Sequence, residues 1–145
     1  MEAVTLPGKD AMSIESDWVT EFIHCREGSS ACTSFGSLKN LSEIPQYSSF
    51  AGVVVYYNEF NLEKTGKKYL NPGKVFGLAE VSVNGKKCGV KWYGNKVFDI
   101  SEFIKPGVNQ LEIRVVTTMG NYMKSLTGNP IAQYWTNEKN KIQPV

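Results

Sequence analysis

The chain contains one histidine and three cysteines in 145 residues, and both shortages exclude chemistry. A Ser-His-Asp or Cys-His centre needs a histidine as base, and the only candidate is His24. Cys25 follows it, but neighbours on a strand point to opposite faces, which places the pair poorly for proton transfer. An ordinary loop or strand-end histidine is the expectation. Three cysteines do not make a disulfide framework. Cys25 and Cys32 are close enough in sequence to pair in an oxidising compartment, and the spacing leaves both states open, paired or free. With no Cys-x-x-Cys pair and no His-rich spacing, a zinc site is not expected.

Long apolar runs are also missing. None approaches the ~20 residues of a membrane helix, and Met1–Pro7 has neither a basic n-region nor an apolar h-region. A net charge of +2, with lysines scattered as in Lys67-Lys68 and Lys86-Lys87, reads as a solvated face. Neither nucleic acid nor membrane is expected as a partner. The composition, 41% hydrophobic and 21% charged, is that of one globular domain with room for its own core.

What the chain does have is a β-hairpin, Ala79 to Trp92. Asn84-Gly85 supplies the two φ > 0 positions of a type I′ turn. A two-residue loop predicts Val83 opposite Lys86, Val81 opposite Cys88 and Ala79 opposite Val90. Ala79, Val81, Val83, Cys88 and Val90 then share an apolar face with Trp92, while Glu80, Ser82, Lys87 and Lys91 face solvent. Cys88 is expected as a buried free thiol acting as a small hydrophobe. One dry and one wet face is the habit of strands in a sandwich of antiparallel sheets.

Elsewhere the residues predict an irregular lead-in over 1–16 and a single β-sandwich domain over 17–145. Trp18 to His24 and Val53 to Phe60 read as strands, as does the alternation Leu111-Glu112-Ile113-Arg114-Val115. Arg26 to Ser37, rich in Gly and Ser, reads as a loop. Asp99-Ile100-Ser101-Glu102 reads as a cap for one helical turn before Pro106-Gly107, and Ile131 to Thr136 as a last strand. Frequent turns without a sustained helical period indicate an all-β fold.

The order of these features is itself informative. Strand, Asn84-Gly85 turn, Gly89, Trp92, Phe98-Asp99-Ile100, Lys105-Pro106-Gly107-Val108-Asn109 and an alternating strand together resemble the galactose-binding-like jelly roll of glycoside hydrolases. The sugar-binding domain of the β-galactosidase and β-glucuronidase family is similar, as is an accessory domain of α-L-rhamnosidases. The resemblance covers roughly Asp17 to Tyr122. It implies a jelly-roll β-sandwich and a non-catalytic accessory module of a larger, secreted or periplasmic enzyme, packed against that enzyme's catalytic domain. The rival reading is a free-standing lectin-like carbohydrate-binding protein. No resident cofactor is implied, although some domains of this kind hold a structural calcium through loop carbonyls and carboxylates, and the chain leaves calcium open.

Glycoside hydrolysis needs two carboxyl groups about 5–9 Å apart. Glu59, Glu63, Glu80, Asp99, Glu102 and Glu112 are available, but no motif pairs any two of them. In the enzymes resembled the acids sit in a separate barrel, so this chain alone is expected not to be an enzyme. A sugar contact asks only for an aromatic ring beside a few polar groups. Trp92-Tyr93-Gly94-Asn95-Lys96 combines these, making Tyr93 and Asn95 the first candidates, with Tyr122 as a second wall. Trp92 is a further candidate, although the hairpin register places it in the core. Asn95-Lys96 stand where the related enzymes usually show Pro-Tyr.

Overall fold

The structure, a computed structural model, describes residues 2–5, 10–14, 17–26, 28–35, 43–73, 75, 77–92, 96–118 and 120–131. Among the described residues are ten strands: β1 (Glu2–Thr5), β2 (Asp10–Ser13), β3 (Trp18–His24), β4 (Gly28–Phe35), β5 (Gly52–Leu62), β6 (Tyr69–Asn71), β7 (Leu78–Val83), β8 (Lys86–Lys91), β9 (Phe98–Asp99) and β10 (Gly107–Val116). A 3₁₀ turn (Pro45–Tyr47) precedes β5, and a short helix, α1 (Gly120–Ser125), follows β10. The strands form a six-stranded sheet, β4-β3-β5-β10-β7-β8, and a four-stranded sheet, β2-β1-β6-β9. Every pairing is antiparallel. This is the expected jelly-roll β-sandwich.

The core lies between the sheets, and alternation along the large one explains its composition. Trp18, Thr20 and Phe22 of β3, Val54, Tyr56 and Phe60 of β5, Leu111 and Ile113 of β10, and Ala79, Val81 and Val83 of β7 are all buried. Leu70 and Phe98 close the core from the small sheet. Trp18 meets Tyr56 edge to face, with ring centroids 6.4 Å apart, a favoured aromatic arrangement. The Thr20 hydroxyl is buried without a hydrogen-bond partner.

Three expectations are corrected. Residues 2–5 and 10–13, expected as an irregular lead-in, are strands that pair with each other, and β1 also pairs with β6. Gly28–Phe35, expected as loop, is the edge strand β4, laddered along β3. Its small polar residues show no alternation, and the backbone of β3 supplies the order instead. The hairpin register is the third correction. Asn84 and Gly85 have φ of 52° and 80°, as a type I′ turn demands, and Val83 faces Lys86.

Beyond the turn a β-bulge intervenes, so Val81 faces Gly89 and Ala79 faces Lys91. The extra residue, Cys88, is only half-buried. Its thiol donates to the Lys86 carbonyl at 3.7 Å, and burial pushes it up to about 11 from an ordinary 9.0. The bulge exchanges the two faces of β8. Gly89 turns inward, where a Cβ would stand 3.5 Å from the Phe98 ring. Lys91 also turns inward, its ammonium bonded to the Val97 carbonyl and 5.4 Å from the Phe98 ring centroid. Val90 and Trp92 are exposed, Trp92 by 73%. Trp92 is therefore not a core residue. On the outer face Lys87 pairs with a half-buried Glu80 at 3.4 Å.

Candidate functional site

The end of the large sheet where β3 and β10 finish and β5 and β7 begin is pulled tight by glycine. Gly52 has φ of 152°, and a Cβ there would lie 2.1 Å from the Ile23 carbonyl oxygen. Gly52 N–H donates to Thr117 Oγ1 at 3.0 Å, and Thr117 N–H donates to the Gly52 carbonyl at 2.9 Å. Cys25 N–H donates to the Ala51 carbonyl at 2.9 Å, fastening the β3–β4 turn to the same point.

Aromatic rings gather above this clasp. Phe22 stacks on Tyr47, centroids 4.1 Å apart, and meets Phe50 edge-on at 5.3 Å. His24 lies edge-on to Phe50 at 5.8 Å and to Tyr122 of α1 at 5.2 Å. Arg26 Nη1 donates to the Tyr122 hydroxyl at 3.3 Å, and Arg26 N–H donates to His24 Nδ1 at 3.2 Å. His24 is thus a strand-end ring in an aromatic stack, as its sequence position suggested. Cys25 is an exposed free thiol, and Cys32 pairs by backbone with Glu21, further up the hairpin.

The candidate ligand residues separate. Tyr93 and Asn95 lie outside the described residues. Trp92 leaves β8 at the same end of the sheet as Tyr122, but Tyr122 sits against β3. Four inter-strand steps separate β3 from β8, roughly 19 Å across a sheet. Trp92 and Tyr122 therefore mark opposite sides of one end of the sandwich. Composition alone identified both rings, whereas the contact of Tyr122 with His24 spans 98 residues and has no local signal.

The carboxylates divide as well. Asp99 accepts from Ser101 N–H at 3.0 Å and from the Ser101 hydroxyl at 2.5 Å. Those two bonds, with Lys67 3.9 Å away, hold its carboxyl below the usual range. It serves the turn at Ser101–Phe103, where one helical turn was expected. Glu80 is paired with Lys87. Glu59 and Glu112 instead line a groove of about 850 Å³ on the outer face of the large sheet. Among the described residues no group of three His, Cys, Asp or Glu is placed to hold a metal ion, and no helix is long and apolar enough to cross a membrane.

No family model matches the chain. A rhamnosidase from Novosphingobium superposes with a TM-score of 0.71 and 28% identity, covering 88% of this chain and 13% of the enzyme. The chain is built like a domain of a glycoside hydrolase. A β-glucuronidase from Ruminococcus gnavus, solved with D-glucuronic acid, matches 73% of the chain at TM-score 0.61 and 22% identity, using 22% of its own length. An FMN-binding β-glucuronidase from Faecalibacterium prausnitzii matches 74% at TM-score 0.59 and 20% identity. In sequence, a Formosa agariphila protein named as a β-glucuronidase is 31% identical over 94 residues. The chain spans 8% of that relative. The likeness foreseen in the hairpin and its sequel is thus found in both sequence and fold.

Proposed function

We propose that the chain is a non-catalytic accessory domain of a larger glycoside hydrolase, held against the catalytic domain and touching carbohydrate through its loop end. The observation that carries this reading is the pattern of coverage. Nearly the whole sandwich superposes on the rhamnosidase, yet it accounts for 13% of that enzyme. The distribution of carboxylates agrees. Asp99 and Glu80 are committed to a turn and an ion pair, and the groove holding Glu59 and Glu112 is open to water, a poor setting for a reacting acetal.

Sugar contact at the loop end draws on Trp92, whose ring is largely exposed, with Tyr93 and Asn95 following it in sequence. Tyr122 on the far side would reach only a longer glycan. The secreted or periplasmic setting belongs to the same proposal.

The test is an assay of the purified chain on a panel of aryl glycosides. Background rates are expected throughout. Hydrolysis that disappears on replacing a single carboxylate, with thermal unfolding unchanged, would overturn the reading. The length of the native reading frame separates the rival: a frame several times longer supports the accessory domain, and a stop directly after Val145 supports a free-standing binder.

A further inference from the structure

The groove on the outer face of the large sheet lies toward the Asn84-Gly85 turn, away from the loop end. Its floor is the cross-strand pair Val19 and Tyr57, exposed by 47% and 38% although both are apolar or aromatic. Tyr57 also faces Glu112 on β10, and Glu112 faces Ser82 on β7. One continuous row of outward side chains therefore crosses four strands, a span of roughly 14 Å. Asp17, Glu59 and Gln110 border the next row toward the Asn84-Gly85 turn. The volume, about 850 Å³, lies within the roughly 300–1,000 Å³ of small-molecule sites.

The charge is one-sided. Asp17, Glu59 and Glu112 line the groove, and no lysine or arginine is among its described lining residues. Two cations stand at its margin. Lys87 faces Ser82 at the end of the row but is drawn to Glu80 at 3.4 Å, and Arg114 stands one row away, beside Val55 and Glu80. The Tyr57 hydroxyl donates to Glu21 Oε2 at 3.4 Å, turning its polar tip away from Glu112.

We infer that this groove binds a neutral oligosaccharide and rejects uronic acid polymers. A half-exposed aromatic ring offers an apolar platform for a pyranose face. Carboxylates accept hydrogen bonds from sugar hydroxyls, and such charge-assisted bonds are about twice as strong as neutral ones. The Gln110 amide supplies donors for ring and hydroxyl oxygens. The same carboxylates repel a sugar that carries one of its own, most strongly at low salt. The inference goes beyond the accessory-domain reading and does not need it, since a free-standing binder would use the same surface.

Backbone-amide shift mapping of the intact chain tests it. The probes are neutral oligosaccharides of glucose, galactose, mannose and xylose, with oligogalacturonate and oligolysine as contrasts. At least one neutral probe should shift Tyr57, Ser82, Gln110 and Glu112 together, with a Kd of roughly 0.1–1 mM for an open site. Oligogalacturonate of matching length should leave those amides unmoved at low salt. Tyr57→Ala should weaken the neutral probe about tenfold or more, and Glu112→Gln should weaken it several-fold while letting oligogalacturonate in. An exposed control outside the groove, Lys64→Ala, should change nothing. Equal binding of oligogalacturonate, no shift with any glycan, or a response to oligolysine alone would overturn the inference, the last in favour of a basic protein partner. Shifts confined to Trp92 and Tyr122 would overturn it too, while leaving the loop-end proposal standing.

Discussion

Asn84 Nδ2 donates to Asn109 Oδ1 at 3.0 Å, and through this bond the hairpin turn is tied to the turn that starts β10. Both side chains do more. Asn84 Nδ2 also donates to the Phe103 carbonyl at 2.9 Å, and Asn84 Oδ1 accepts from Gln110 N–H at 3.0 Å. Asn109, fully buried, accepts from Lys105 N–H at 2.8 Å and donates to the carbonyls of Lys105 at 2.8 Å and Gly107 at 3.0 Å. Asn109 thus satisfies the backbone of the Lys105-Pro106-Gly107 turn, and Asn84 ties the hairpin to either side of it.

Asn109→Leu keeps the volume and removes every one of those bonds. These bonds are part-buried, so water can replace some of them, and a loss of roughly 2–3 kcal/mol is expected. Urea unfolding measures it. Asn84→Ala should cost less because its partners are nearer solvent, and the double variant should fall short of the sum, as coupled sites do.

Gly52→Ala should destabilise by roughly 2–3 kcal/mol, since the added Cβ meets the Ile23 carbonyl and the φ suits no L side chain. The clasp to Thr117 predicts where the damage spreads. Hydrogen exchange should speed up at Cys25 and Thr117 before it does at Val83 and Leu111.

Val81 sits fully buried between Ile113 and Gly89. Val81→Asp places an unpaired charge there and should cost more than about 4 kcal/mol, enough to unfold the domain. Trp92→Ala, one short strand away, should move stability by no more than about 0.5 kcal/mol because the ring is exposed. Thermal unfolding monitored by circular dichroism distinguishes the two.

Alkali should unfold the chain partly through Tyr56. Burial raises its phenol to about 12 from 10.0. The unfolded chain therefore gives up this proton earlier than the folded one, so its stabilising effect is complete below pH 10 and is lost as pH rises toward 12. The loss reaches roughly 2–3 kcal/mol. Cys88, raised to about 11, acts in the same direction from pH 9 upward. In Tyr56→Phe the stability curve should flatten between pH 10 and 12, as read from denaturant midpoints. An unchanged slope would rule Tyr56 out as its source.

The Asn84-Gly85 turn was legible because a two-residue loop requires positive φ, and few other dipeptides supply it. The alternation of Leu111, Ile113 and Arg114 was legible for an equally local reason. The bulge was not, because the residue it turns inward, Gly89, faces Phe98 of the opposite sheet, a contact that no local pattern announces. Strand β4 escaped notice for a similar reason: an edge strand of small residues takes its order from the ladder of its neighbour. The sheet-face groove left a trace in the alternation of Tyr57, Glu59, Gln110 and Glu112. Only the pairing of β5 with β10 assembles those residues into one surface.

The bulge at Cys88 makes the outer surface of an edge strand depend on a count. Side chains on a strand fall into odd and even sets, and one inserted residue trades the sets from that point on. Were the bulge ironed out, with Cys88 kept and paired to Val81, Lys91 would turn into water and Val90 and Trp92 toward Phe98. Deleting Cys88 instead would leave Gly89 opposite Val81 and Lys91 opposite Ala79, as they now stand. The exposed indole at the rim thus rests on one extra residue finding a place in the ladder, and not on any change in the side chains that follow it.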